Sequence, residues 1–207
     1  MARPPLFQRA TVTRIVRENA DVRTFVLDPH EGPFPYRAGQ FCSFRVQVDG
    51  KTLLRSYSMS SAPETDTELM TTVKRVPGGA VSNWLIDNLT EGDVVELTRP
   101  VGAFCLRPAD RPLLGFSGGS GVTPILSLVK STLATTDRHV RLLCADRDKA
   151  STFFDTALPG WPSATPAASR RSATSTTHAA CSTPRPSGTS PPLPATATPT
   201  CADPSPS

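Results

Sequence analysis

The stretch LLRSYSMSSAP, Leu53 to Pro63, puts a guanidinium, a phenol and several hydroxyls on residues whose neighbours read as a β-strand entering a turn. On a strand, Arg55 and Tyr57 leave the same face, while Ser58 points the other way or stands where the strand bends. One ligand can therefore meet both. Read alone, Arg55, Ser56, Tyr57 and Ser58 are more simply a solvated strand edge.

Two glycine-rich turns add to this. In SGGSGVTP, Gly118, Gly119 and Gly121 separate an apolar strand pattern, PLLGFS, from a helical one, VTPILSLVKSTLA. Without a Cβ, backbone N–H groups can approach a phosphate, and the following helix adds the positive end of its dipole. Thr123 is placed to be the N-cap and Pro124 the first helical residue. The spacing does not fit the dinucleotide fingerprint G-x-G-x-x-G, and a merely tight turn explains these glycines equally well. In VPGGAVSNWL, Gly78 and Gly79 precede a second helix, leaving the N–H groups of Ala80, Val81 and Ser82 available at its start. Two phosphate sites in dissimilar surroundings point to two nucleotide ligands.

The elements that must position these residues fall into three regimes. From about Ala10 to Leu106 the segments TVTRIV, VRTFVLD, QFCSFRVQV, LLRSYSM, ELMTTVKRV and DVVEL read as short strands between turn signals. Cys42, Phe44, Val46 and Val48 alternate with polar neighbours, as a half-buried antiparallel strand requires. Six such strands, interrupted only by the helix AVSNWLIDNL, favour a closed or nearly closed antiparallel β-barrel. From Arg111 the order is strand, helix, strand, helix (PLLGFS, VTPILSLVKSTLA, HVRLLCA, DKASTFFDTAL), the start of a parallel α/β sheet. The predicted units are residues 7–108, 111–158 and a tail, 159–207. The tail lacks Val, Ile, Phe, Lys and Glu and holds 11 of the 22 prolines. Such a composition predicts disorder.

The whole chain of 207 residues carries a formal charge of +4, but three arginines and a single acid lie in the tail. The remainder is nearly balanced, which speaks against a nucleic-acid partner. No apolar run approaches the roughly 20 residues that span a bilayer, and MARPPLFQRA has no signal-peptide core, so a cytoplasmic location is expected. Cys42, Cys105, Cys144, Cys181 and Cys201 have no metal-ligand or iron–sulfur spacing and read as free thiols. His30, His139 and His178 read as surface residues.

Arg55-Ser56-Tyr57-Ser58, Gly79-x-Val81-Ser82, Gly102-x-Phe104 and Gly118-Gly119-Ser120-Gly121-Val122-Thr123-Pro124, in this order and spacing, resemble the ferredoxin–NADP reductase superfamily over roughly Phe7 to Leu158. The similarity is greatest to reductase components of bacterial multicomponent oxygenases, such as those of ketosteroid hydroxylase and phenylacetyl-CoA epoxidase. The resemblance implies an FAD-binding barrel followed by an NAD(P)-binding α/β domain, and a flavin-dependent oxidoreductase. It implies electrons passed from NAD(P)H through FAD to a ferredoxin or oxygenase partner. It also implies Arg55 on the flavin phosphate, Tyr57 against the isoalloxazine ring and Ser58 near flavin N5, these last two being the catalytic candidates. Ser56 belongs to the same tetrad. Val73, Lys74 and Arg75 would line the flavin with main-chain groups. Gly79, Val81 and Ser82 would hold the pyrophosphate, which favours FAD over FMN. Gly118, Gly119, Gly121 and Thr123 would cradle the nicotinamide dinucleotide. Arg147 is a candidate contact for a 2′-phosphate, with a solvated loop residue the equal alternative.

After Leu158 the sequence departs from the superfamily, whose further strands include one ending in Cys-Gly-Pro and whose oxygenase-type members add a 2Fe–2S domain. The alternative function is thus a flavin-binding barrel with little or no turnover, its nicotinamide domain incomplete. TPTCADP, Thr198 to Pro204, can encode Asp-Ala-Tyr-Val-Cys-Gly-Pro when each codon starts one base earlier. The tail is accordingly expected to be a frameshifted reading that slips near Leu158.

Overall fold

The computed structural model describes residues 6–146, Asp148, Ser151, Thr152, Phe154 and the strand 175–181. Six strands form the first sheet: β1 (Phe7–Arg17), β2 (Val22–Pro29), β3 (Phe41–Val48), β4 (Lys51–Ser58), β5 (Leu69–Lys74) and β6 (Val94–Thr98), with helix α1 (Ala80–Asn88) between the last two. They pair antiparallel in the order β4-β3-β6-β1-β2-β5. The predicted alternation in β3 is present: Cys42, Phe44 and Val46 are buried, and with Phe25, Met59, Leu85 and Leu97 they belong to one core. Asp49 and Gly50 form the two-residue turn between β3 and β4, both with positive φ (49° and 72°). That left-handed pair matches the right-handed twist of a hairpin.

The sheet curls toward closure without completing it. Its terminal strands β4 and β5 share no ladder and are joined near the end of β4 by the bridge Met59↔Thr71, and α1 packs on β3, β4 and β5 beside that gap. Arg55 to Ser58 therefore lie on one sheet edge and Val73 and Lys74 on the other.

The second unit is β7 (Leu113–Gly118), a 3-10 turn (Gly119–Gly121), α2 (Val122–Thr135) and β8 (Val140–Asp146). β7 and β8 are parallel, from Leu113↔Val140 to Gly118↔Ala145, with α2 as the crossover. Val122, Ile125 and Val129 of α2 pack with Val140 and Leu142, and Val22 of the barrel joins that cluster. α2 is therefore buried on two sides, by the sheet and by the barrel.

One expectation is corrected. The helix starts at Val122 with Gly121 as N-cap, so Thr123 lies inside the first turn and makes no capping hydrogen bond. The physical reason is that the 3-10 turn winds directly into α2, leaving no extended residue at Thr123 to act as a cap. The helix expected over 148–158 lies mostly outside the described residues; Ser151 N–H donates to Asp148 Oδ1 at 2.8 Å. Of the tail, expected to be disordered, the described residues are β9 (Ser175–Cys181), antiparallel to β8 from Asp146↔Ser175 to Val140↔Cys181. An open strand edge accepts any chain able to offer backbone hydrogen bonds, so a Ser/Thr/Ala segment suffices. Arg147 and the rest of 159–207 lie outside the described residues.

Candidate functional site

The first group of candidates sits on β4. Its edge position leaves Arg55 exposed, and the guanidinium makes no ion pair among the described residues; Nη1 donates to the neighbouring Leu54 O at 2.7 Å. Tyr57 is half-buried against the barrel core, edge-on to Phe44 with ring centroids 5.7 Å apart and planes at 77°. Burial pushes its phenol up to about 12, against a smaller opposing pull from Arg55. Tyr57 is thus a neutral, fixed aromatic surface at neutral pH. Ser56 Oγ is 2.8 Å from Ser43 Oγ on the adjoining strand, and Ser58 O accepts a bond from Thr71 Oγ1 at 2.9 Å. That second bond ties the end of β4 to β5.

The second group surrounds the start of α1. Gly79 is the N-cap, with no side-chain cap, so the first-turn N–H groups lack intrahelical acceptors. A Cβ on Gly79 would stand 2.7 Å from Ser82 Oγ and 3.0 Å from Val76 Cβ, which explains why glycine is required there. Ser82 Oγ accepts from Val76 N–H at 3.3 Å, leaving the hydroxyl proton able to donate elsewhere. Val73 and Val81 are core residues, so only their main-chain groups are available to a ligand. Asn83 Oδ1, one residue beyond Ser82, is buried without a partner. It was not among the candidates read from the sequence, and nothing in a lone Asn within an amphipathic helix distinguishes it.

The third group is the turn into α2. Gly119 has φ +55°, and a methyl group added to it would lie 3.6 Å from Lys74 Nζ. The ammonium at the end of β5 thus reaches across to the glycine-rich turn. Gly118, Gly119 and Gly121 leave the α2 N-terminus without any side-chain cap, and Thr123 Oγ1 is buried there without a hydrogen-bond partner. The structure brings together β4, β5, α1 and, through Lys74, the α2 turn.

These features fit a dinucleotide flavin. The exposed Arg55 guanidinium, the Tyr57 platform, two helix N-termini without side-chain caps and the buried Thr123 hydroxyl supply donors and an aromatic surface suited to an aromatic polyphosphate. Among the described residues no group of three His, Cys, Asp or Glu is placed to hold a metal ion, and no helix is long and apolar enough to cross a membrane.

Fold and site together are those of a flavin-binding domain. Residues 9–105 match the family described as the oxidoreductase FAD-binding domain. Over 148 residues the chain is 40% identical to the ferredoxin reductase component of 3-ketosteroid-9-alpha-monooxygenase from Rhodococcus rhodochrous, covering 70% of this chain and 42% of that protein. The FAD/NAD-binding domain of nitric oxide dioxygenase from Vibrio cholerae superposes with a TM-score of 0.67 at 28% identity, covering 72% of this chain and 67% of that one. Phthalate dioxygenase reductase superposes with a TM-score of 0.62 at 30% identity, covering 72% of this chain and 46% of that one. The chain carries the oxidoreductase FAD-binding domain over residues 9–105 and is similar to oxygenase reductase components of the ferredoxin–NADP reductase type. It spans less than half the length of the Rhodococcus relative.

Proposed function

We propose that the chain is a flavin-dependent reductase that takes electrons from NAD(P)H and passes them to a ferredoxin or an oxygenase component, as a cytoplasmic protein. One observation carries this reading: Lys74, on the same sheet edge as Val73, reaches Gly119, so the flavin side of the cleft and the second glycine-rich turn are contiguous. Two nucleotides bound at the two helix N-termini would then meet face to face.

In this reading Arg55 clamps the flavin phosphate and the N–H groups of Val81 and Ser82, presented by Gly79, take the pyrophosphate. Tyr57 sets the plane of the isoalloxazine, with Ser56 bracing the strand through Ser43. Ser58 hydrogen-bonds at flavin N5, its backbone fixed by Thr71. Main-chain groups of Val73 and Lys74 line the ring. Gly118, Gly119, Gly121 and Thr123 receive the nicotinamide dinucleotide, and Arg147 contacts its 2′-phosphate or ribose. Bound here, FAD supplies a centre that accepts two electrons together and releases them singly. The protein's share is positioning and exclusion of water, which accords with the lack of an acid–base dyad among these residues. The comparisons favour a reductase over a passive flavin-binding module, since the relatives are themselves reductase components.

The test is anaerobic mixing of FAD-loaded protein with NADH and, separately, NADPH while the visible flavin absorbance is followed. Bleaching by one of the two is expected. Protein that takes up no FAD, or whose bound FAD neither nucleotide bleaches, overturns the reading.

A further inference from the structure

The α2 helix is tied to the barrel by polar contacts that the cleft itself does not use. Ser127, fully buried, donates from Oγ to Ser61 O at 2.6 Å and accepts from Gly39 N–H at 3.2 Å. One turn further along, Lys130 Nζ lies 3.2 and 3.1 Å from the two carboxylate oxygens of Asp66, with side chains only 13% and 17% exposed. Asp66 Oδ2 also accepts from Ala62 N–H at 2.7 Å and from the Thr65 hydroxyl at 3.1 Å. Between these anchors Leu128 packs on Ala38 and Ala62. Gly39 has φ +89°, and a Cβ there would collide with Phe104 O and crowd Leu128, so the loop has no room to slide.

The barrel side of this seam is continuous with the flavin strand. β4 ends at Ser58; Ser61 follows three residues on, held by Tyr36 Oη at 2.7 Å and by Met70 N–H at 3.0 Å. The helix side is equally short, because Ser127 stands one turn beyond Thr123. Ser127 Oγ thus joins the strand carrying Tyr57 and Ser58 to the helix whose first residues make the glycine-rich turn, with little more than one turn of chain on either side. Apolar packing is non-directional and tolerates sliding, whereas a hydroxyl with fixed partners and a multiply bonded ion pair do not.

We propose that Ser127 and the Lys130–Asp66 pair are positioning residues for the transfer between the two nucleotides: they hold the Gly119–Thr123 turn in fixed register with Tyr57 and Ser58. The inference rests on the functional reading above, but its consequence for the turn can be read without turnover.

Full-length, FAD-loaded Lys130→Met and Ser127→Ala proteins are compared with the parent and with Lys130→Arg, which keeps the ion pair. Three quantities are measured: the flavin bleaching rate at saturating NADH or NADPH, the half-saturating nucleotide concentration, and amide hydrogen exchange across residues 118–123. Displacement of reacting groups by about 1 Å lowers a transfer rate by as much as ~100-fold. The saturating rate is therefore expected to fall about 10- to 100-fold in Lys130→Met and Ser127→Ala while FAD content and half-saturation stay near the parent values. Exchange across the turn should rise about tenfold as the local anchor is lost. Lys130→Arg should restore both. Parent-like rates and exchange in the two variants overturn the proposal, as does a fall in melting temperature with no change in the turn. If the parent protein holds FAD that neither nucleotide bleaches, the functional reading fails and the exchange comparison alone decides the positioning claim. If Lys130→Met does not fold, Ser127→Ala decides it.

Discussion

Replacing Arg55 with Ala separates a ligand-binding role from a structural one. A guanidinium has five N–H donors; here one is spent on Leu54 O, so the remaining fork can grip a phosphate bidentately without breaking any tertiary contact. Hydrogen bonds to charged groups are worth about 1.5–3 kcal/mol each, and because Arg55 is exposed, water and salt weaken the pair of them to about that total. FAD affinity should therefore fall roughly ten- to a hundredfold in Arg55→Ala. Stability should hardly move, within about 0.5 kcal/mol, because no ion pair or buried bond among the described residues is lost. The assay is fluorescence titration of apoprotein with FAD at several salt concentrations, beside a urea melt of the ligand-free protein. The salt dependence should be shallower in the variant, since one charge contact is gone. An Arg55→Ala protein that folds and binds FAD as tightly as the parent, with the same salt slope, refutes the assignment of Arg55 to the flavin phosphate.

Gly79→Ala should weaken FAD binding and lower stability by about 1 kcal/mol, because the new methyl would press on Ser82 Oγ and displace its bond from Val76 N–H; thermal melts and flavin titration check both, and parent-like values in each would be incompatible with the close approach. Alkaline pH should unfold the protein. Burial raises Tyr36 and Tyr57 from the ordinary 10.0, and Cys42 from 9.0, each to about 12. The unfolded chain then releases these protons at lower pH than the folded one, so their contribution is complete below about pH 9 and is lost as pH rises toward 12. Urea midpoints at about pH 8 and pH 11 measure this, and equal midpoints would contradict it.

The strands were legible because their side chains alternate: Cys42, Phe44 and Val46 face the core as the period of two requires. Helix α1 was legible from Gly78-Gly79 and the apolar spacing that follows. The sheet order was not, since pairing of β3 with β6 and β6 with β1 joins segments far apart in the sequence by backbone bonds that carry no residue signature. Thr123 misled for a related reason. Its type suits an N-cap, but the 3-10 turn before it decides where the helix begins. Ser127 and Lys130 escaped notice because in sequence they are two polar residues within an apolar helix pattern. Only the fold shows that α2 is buried on two sides, by the sheet and by a barrel face that adds polar contacts to apolar ones.

That two-sided burial explains where a ligand cleft can lie in such a molecule. A fully closed barrel would satisfy every strand edge and leave no backbone available to a ligand. Here β4 and β5 are joined only around Ser58, Met59 and Thr71, and the space between their edges is flanked by the N-termini of α1 and, across Lys74, α2. Leaving that seam open sacrifices ladder hydrogen bonds, and an unsupported open edge would invite strand slippage. The structure offsets this with contacts outside the cleft: Thr71 to Ser58, Tyr36 to Ser61, Ser127 to Ser61 and Gly39, and Lys130 to Asp66. Each of these residues holds a neighbour of Arg55, Tyr57, Ser58 or the glycine-rich turn while leaving those groups exposed to a ligand. The division of labour follows from physical necessity. A donor spent on the protein is no longer available to the ligand; at Ser58 it is the backbone oxygen, an acceptor, that Thr71 engages, and at Tyr57 it is the ring that packs on Phe44.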